Sequence, residues 1–208
     1  MRAVTFLALG LVLCTVGSTP MSSQPEIKKN EVYLKTRQAV RRKDDLHLLW
    51  LSNQLNRSVA HCLISKWLEI TKHGSHRTFE INDKITAPTG QSSSLGTPGG
   101  NDQLKKNITI LVELVPDSAN LVIKADDGDL DPRWSEPHTV LNATKKCFVL
   151  RAVVTPQWKA LCLVFGLKNG GQECFEMAKK ECETGTEVNL TDCQQSDKKG
   201  KKKKEEKS

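Results

Sequence analysis

Five cysteines fall in the last third of the chain, at Cys147, Cys162, Cys174, Cys182 and Cys193, and a sixth, Cys62, stands 85 residues before the first of them. Thiols in such number restrict the chain to a disulfide-stapled extracellular domain and argue against a cytosolic enzyme, whose cysteines are kept reduced. Because Cys62 is so far from the cluster, at least one bridge has to tie the start of the domain to its end. Six cysteines permit fifteen connectivities, and spacing alone does not choose among them.

The seventh cysteine, Cys14, lies in an apolar run at 3–16 that follows Met1 and Arg2 and gives way to Gly17, Ser18 and Thr19. This pattern predicts a signal peptide over 1–18, since the run is shorter than the roughly 20 apolar residues that span a bilayer. A secreted, extracellular chain with an even cysteine count results. Four sequons agree with export: Asn56-Arg57-Ser58, Asn107-Ile108-Thr109, Asn142-Ala143-Thr144 and Asn189-Leu190-Thr191. Each is a glycosylation candidate and each used asparagine must face solvent.

What remains suits one domain, expected over 30–193, with a flexible N-terminus at 19–29 and a polar C-terminal tail at 194–208. From Asp197 onward seven lysines and three acids give the tail +4 of the chain's formal +7. A nearly neutral domain thus carries a basic tether, which either binds heparan sulfate or another anionic cell surface through counterion release or only aids solubility.

Between the tails the periodicity is that of strands. HLLWLSNQL at 47–55 and HCLISKWLEI at 61–70 read as a hairpin around Asn56-Arg57-Ser58. RTFEI at 77–81 follows an expected turn at His73-Gly74-Ser75, and 87–103, rich in Pro, Gly and Ser, reads as a long loop. ITILVELV at 108–115, LVIKA at 121–125, 139–141, CFVLRAVV at 147–154 and WKALCLVFGL at 158–167 complete about eight strands. The acidic stretch 126–131 lacks the later glutamate of a calcium loop and reads as an Asp-Gly turn. QECFEMAKKECE at 172–183 is helical and spaces Cys174, Ala178 and Cys182 by four on one face, and 32–43 predicts a short helix before the strands. The fold class is therefore mainly β, an eight-stranded antiparallel barrel with a short N-terminal helix and a C-terminal helix, wide enough inside for one small ligand.

Cys147-Phe148-Val149-Leu150, Cys162-Leu163-Val164-Phe165 and the following Cys174, Cys182 and Cys193, with Leu49-Trp50 and Cys62 upstream, resemble the salivary lipocalins of ticks, the histamine-binding protein family. That resemblance implies a secreted, non-catalytic barrel without a cofactor that sequesters a host mediator such as histamine, serotonin or a leukotriene. It also implies the pairs Cys62 with Cys193, Cys147 with Cys174 and Cys162 with Cys182.

The chain departs from the family where an amine would be held. Amine-binding members place an acid after the cysteine that opens the penultimate strand and a Glu-Leu-aromatic triplet on the last, whereas here stand Phe148 and Leu163-Val164-Phe165. A buried ammonium without a carboxylate partner is strongly unfavourable. Glu69, Glu80 and Glu113 lie in predicted strands, but a solvated outer face is the expected place for each. Tyr33 is the one tyrosine, which also suits an amine cage poorly. Trp50, Trp67, Phe148 and Phe165 are the candidate ligand-binding residues, and they favour an apolar lipid such as a leukotriene or fatty acid. The alternative is a protein-binding module that uses loops such as 87–103 against a host complement, clotting or cell-surface factor. His47, His61, His73, His76 and His138 have no zinc-site spacing and no serine lies in a nucleophile motif, so neither a metal nor catalysis is expected.

Overall fold

The computed structural model describes residues 24–82, 104–152 and 159–193. Helix α1 (Gln24–Val40) leads into strands β1 (Leu46–Ser52), β2 (Leu63–Ser65), β3 (Trp67–Ile70), β4 (Gly74–Ile81), β5 (Leu104–Val115) and β6 (Ser118–Ala125). The one-turn helix α2 (Pro132–Ser135) precedes β7 (His138–Ala143), β8 (Cys147–Arg151) and β9 (Cys162–Gly166), after which come α3 (Gln172–Glu181) and β10 (Gly185–Glu187). From β4 onward each strand to β9 pairs antiparallel with the next, and β1 closes the ring on β9, with His47 opposite Gly166 and Leu51 opposite Leu163. Strands β2 and β3 both pair with β4 and are halves of one wall strand broken at Lys66, so the barrel has eight strands. Strand β10 adds to the outside along Trp50 to Ser52.

Helix α1 lies across one end of the barrel, and buries Val32, Thr36, Ala39 and Val40 against it. This end is sealed by Arg77 of β4, which is fully buried and donates to the carbonyls of Val40, Arg42, Asp44 and Ser65 and to Ser65 Oγ, at 2.7–3.1 Å. Burial pushes its pKa down to about 10, with Asp45 and Asp44 opposing, so the guanidinium is still a cation at neutral pH. One side chain thereby fixes the link between α1 and β1 to the wall.

Two cores flank the wall. The interior core contains Leu46, Leu48, Leu51, Phe79, Ile110, Leu121, Phe148, Leu150 and Leu163. The outer core lies between the wall and α3 and contains Leu49, Trp50, Val149, Val164 and Ala178 with four cysteines. Bridges Cys147–Cys174 and Cys162–Cys182 fasten α3 to β8 and the region of β9, and Cys62–Cys193 joins the approach to β2 to the chain after β10. Gly185 is required where β10 crosses this core, because a Cβ there would overlap the indole of Trp50 and the Leu51 carbonyl.

Several expected boundaries change. The flexible segment 19–29 is in part helical: α1 starts at Gln24, because Glu26, Lys28 and Lys29 are good helix formers and extending a formed helix adds a hydrogen bond per residue. Gly74 and Ser75 belong to β4, not to a turn. The glycine lets two strands approach, since a Cβ would run into the carbonyl of Ile110. Asn53–Leu55, expected at the end of a strand, is a 3-10 turn, and β5 begins four residues early at Leu104. Gly128, at φ +66°, makes the turn within the acidic stretch. The signal segment, the 87–103 loop, the 155–157 connection and the Lys-rich tail lie outside the described residues.

Candidate functional site

The barrel end opposite α1 is where β6 runs into α2 and where β7 and β9 begin. Asp131-Pro132 starts α2 in the expected way, with Asp131 capping through its carboxylate, which accepts from the Arg133 backbone N–H, and with proline in the first turn. The Arg133 side chain hydrogen-bonds the same carboxylate, which holds Asp131 below its ordinary pKa and Arg133 above its own, and Arg133 also donates to the Ser58 carbonyl. With its backbone held in this way, α2 turns Trp134 inward, 6% exposed.

Trp134 is the centre of an aromatic cluster. Its ring meets Phe79 edge-on at 5.4 Å and Phe165 at 6.3 Å, Phe165 stacks on Phe148 at 6.0 Å, and His138 lies 6.1 Å from Trp134. Above this cluster is a cavity of about 230 Å³, walled by Leu55, Val59, Trp134, His138, Ala152 and Leu163, with Arg133 and Glu136 also lining it. His138 is 2% exposed and neither ring nitrogen has a hydrogen-bond partner. Burial lowers its pKa, while the backbone of Arg151 and Trp134 beside the ring opposes the shift. The imidazole is neutral at physiological pH.

Of the four expected ligand-binding aromatics, Phe148 and Phe165 lie in this cluster. Trp50 does not, and its displacement has a local cause. The β1–β9 register shifts between Leu48 and Trp50, so one extra residue turns both Leu49 and Trp50 to the outer core, while Leu48 and Leu51 face inward. Trp67 stands half-buried on β3 with the Lys43 ammonium 5.3 Å from its ring, away from the cavity. Trp134 and His138, at the site, were not marked out by strand periodicity. The legible signal was Asp131-Pro132, which starts a helical turn and places Trp134 in it.

The acids considered for an amine all face outward. Glu113 is exposed, and Glu69 is 3.6 Å from His76 on the surface. Glu80 is the one buried acid among the described residues. It points away from Phe79 to Lys66 at 2.8 Å, Thr78 at 2.9 Å and Lys105 at 3.4 Å. Burial would raise its pKa, but the hydrogen bonds from Lys66 and Thr78 outweigh that and hold it ionised. Of the sequon asparagines, Asn56, Asn107 and Asn189 are exposed, and Asn142 is half-buried on the outer side of β7.

An eight-stranded up-and-down barrel, closed at one end by a helix, stapled to a second helix on its flank and indented by a half-open pocket at the other end, has the lipocalin-like barrel architecture. Among solved structures the chain is similar to japanin from Rhipicephalus appendiculatus bound to cholesterol, at 13% identity and a TM-score of 0.45 over 72% of this chain and 94% of that one. It is also similar to apocrustacyanin C2, at 10% identity and a TM-score of 0.44 over 78% and 85%. No protein-family model and no curated protein matches the sequence.

Proposed function

We propose that this chain is a secreted salivary lipocalin that sequesters a small, largely apolar host mediator, of the leukotriene, fatty-acid or sterol kind, rather than a biogenic amine. The observation that carries the reading is the cavity itself: about 230 Å³, walled by apolar and aromatic side chains, with no carboxylate buried in it among the described residues. Apolar walls reward each buried methylene by about 0.8 kcal/mol, whereas an ammonium would meet a carboxylate only in the exposed Glu136 at the rim, where solvent screens the pair. Three disulfides, four sequons and the leader-like N-terminus support export.

Native mass spectrometry and tryptophan-fluorescence titration of the secreted, deglycosylated protein test this, with histamine, serotonin, leukotrienes, cholesterol and a series of straight-chain alkanols. Saturable one-to-one binding is expected for apolar ligands, with affinity rising about fourfold per methylene until the cavity is full. Saturable binding of histamine in preference to them refutes the reading. If nothing binds, the protein-binding alternative replaces it.

A further inference from the structure

The outward side of α1 is not the polar face that a solvated helix presents. Val32, Thr36, Ala39 and Val40 define its buried side, and at about 100° per residue Ile27 and Leu34 fall directly opposite, 62% and 52% exposed. Arg37 and Arg41 stand beside that apolar line toward the β3–β4 turn, and Lys35 and Arg42 flank it on the other side. Ile70, 55% exposed, directly precedes the same turn. The two arginines are fixed in place: each donates Nη2 to the Lys72 carbonyl at 2.8 Å, and Arg41 also reaches the carbonyls of Thr71 and Gly74. Two guanidinium groups thus converge on one oxygen, with the Lys72 ammonium on the same residue. No carboxylate pairs with any of the three among the described residues, since Glu31 is taken by Lys35, Asp44 by Arg42, and Glu69 lies against His76. Carbonyl dipoles orient these charges without neutralising them, so the like charges repel one another until an anion joins them.

We propose that the α1 end of the barrel is a docking face for an anionic lipid surface, in which Ile27 and Leu34 enter the headgroup boundary while Arg37, Arg41 and Lys72 meet the lipid oxyanions. Guanidinium groups suit phosphate and carboxylate oxygens, and apolar side chains beside cations on one helix face are the pattern of a helix that lies in a membrane interface. A sulfated polysaccharide would satisfy the cations but leave Ile27 and Leu34 in water, so the combination favours lipid. Because α1 covers the end of the barrel opposite the cavity, a docked chain keeps its cavity turned to solution, and docking does not depend on what the cavity holds.

The test is flotation with vesicles of phosphatidylcholine alone and of phosphatidylcholine with phosphatidylserine. It uses the full disulfide-bonded chain with the seven lysines of 198–207 replaced by glutamine, because a lysine-rich tail would by itself draw the protein to negative vesicles. Flotation is expected with the phosphatidylserine vesicles, weakening as salt is raised, and little with phosphatidylcholine alone. Lys72→Gln and Arg37→Gln should each lower the partition about fivefold, and Ile27→Ser with Leu34→Ser about tenfold. Lys72→Gln and the serine pair change exposed side chains and should leave alkanol binding in the cavity as it was, which separates lost docking from lost folding. No flotation, or equal flotation with both kinds of vesicle, overturns the docking face. Loss through the lysine and arginine variants with the serine pair unchanged, and retention on immobilised heparin, assigns the cations to a polysaccharide and overturns the lipid occupant.

Discussion

Replacing Arg77 by methionine is expected to cost about 4 kcal/mol of stability. The guanidinium is completely buried, and the fall in its pKa from 12.5 to about 10 corresponds to a net penalty of about 3 kcal/mol on the charged form, left after Asp45 and Asp44 offset part of the desolvation. Against this stand five hydrogen bonds, each involving a charged donor and worth at least about 1.5 kcal/mol. Methionine removes both the cost and the bonds. The surplus, about 4 kcal/mol, falls within the roughly 3–5 kcal/mol found when one partner of a buried charged network is deleted. Arg77→Lys keeps the charge but not the planar fork, and an ammonium with three donors cannot reach carbonyls on both sides of the α1–β1 link, so a loss of about 2 kcal/mol is expected. Urea titration reads this out: with a slope of about 2 kcal/mol/M, the methionine variant should unfold about 2 M earlier with the slope unchanged. A methionine variant within about 1 kcal/mol of the parent would mean that the seal at the α1 end does not depend on this network.

Removing Cys62–Cys193, which closes 131 residues, should cost about 5 kcal/mol on the loop-entropy relation, against about 3.3 kcal/mol for Cys162–Cys182, which closes 20; paired Cys→Ala variants compared by urea midpoint check the order. For His138 and His47 burial lowers the folded-state pKa, so both are neutral in either state above about pH 6.5. As pH falls below that value the unfolded chain takes up protons first, stability declines, and the decline ends once the folded-state pKa values are passed. His138→Phe should flatten part of the decline in urea midpoint below about pH 6.5, and an unaltered slope would contradict the burial argument. Trp50→Phe should lower stability by about 1–3 kcal/mol through the outer core yet leave octanol affinity within about twofold, whereas Trp134→Ala should change that affinity more than tenfold.

Much of the wall was legible because its strands obey local rules. Cys147-Phe148-Val149-Leu150-Arg151 and Cys162-Leu163-Val164-Phe165 are short apolar runs between turn residues, and they form adjacent strands in which Phe148 faces Phe165. The face carrying Cys174, Ala178 and Cys182 follows from spacings of four, and all three are buried under the wall. The bounds of β4 were less legible, because Gly74 and Ser75 look like turn residues until the neighbouring strand is in place. Which face of a strand points inward was least legible. A two-residue alternation from Leu46 and Leu48 carries Trp50 into the barrel, and the register shift that reverses this depends on pairing with β9, more than a hundred residues away.

The same reasoning separates the two kinds of aromatic in this chain. Trp50 is surrounded by the outer core and a glycine strand that crosses it, so every part of its ring is engaged by groups that hold the fold together. Trp134 reaches the interior from a helix of a single turn, held by Asp131, Pro132 and Arg133 and not by the strand ladder. An element with so few hydrogen bonds of its own can shift at lower cost than a wall strand. Its ring separates the cavity from Phe79 and Phe165, so a ligand too large for about 230 Å³ gains room by moving Trp134 and not by opening the barrel. Fluorescence of Trp134 should therefore change in proportion to ligand size in a chain where Trp50, Trp67 and Trp158 are phenylalanine. A response independent of size would place the ligand above a fixed ring.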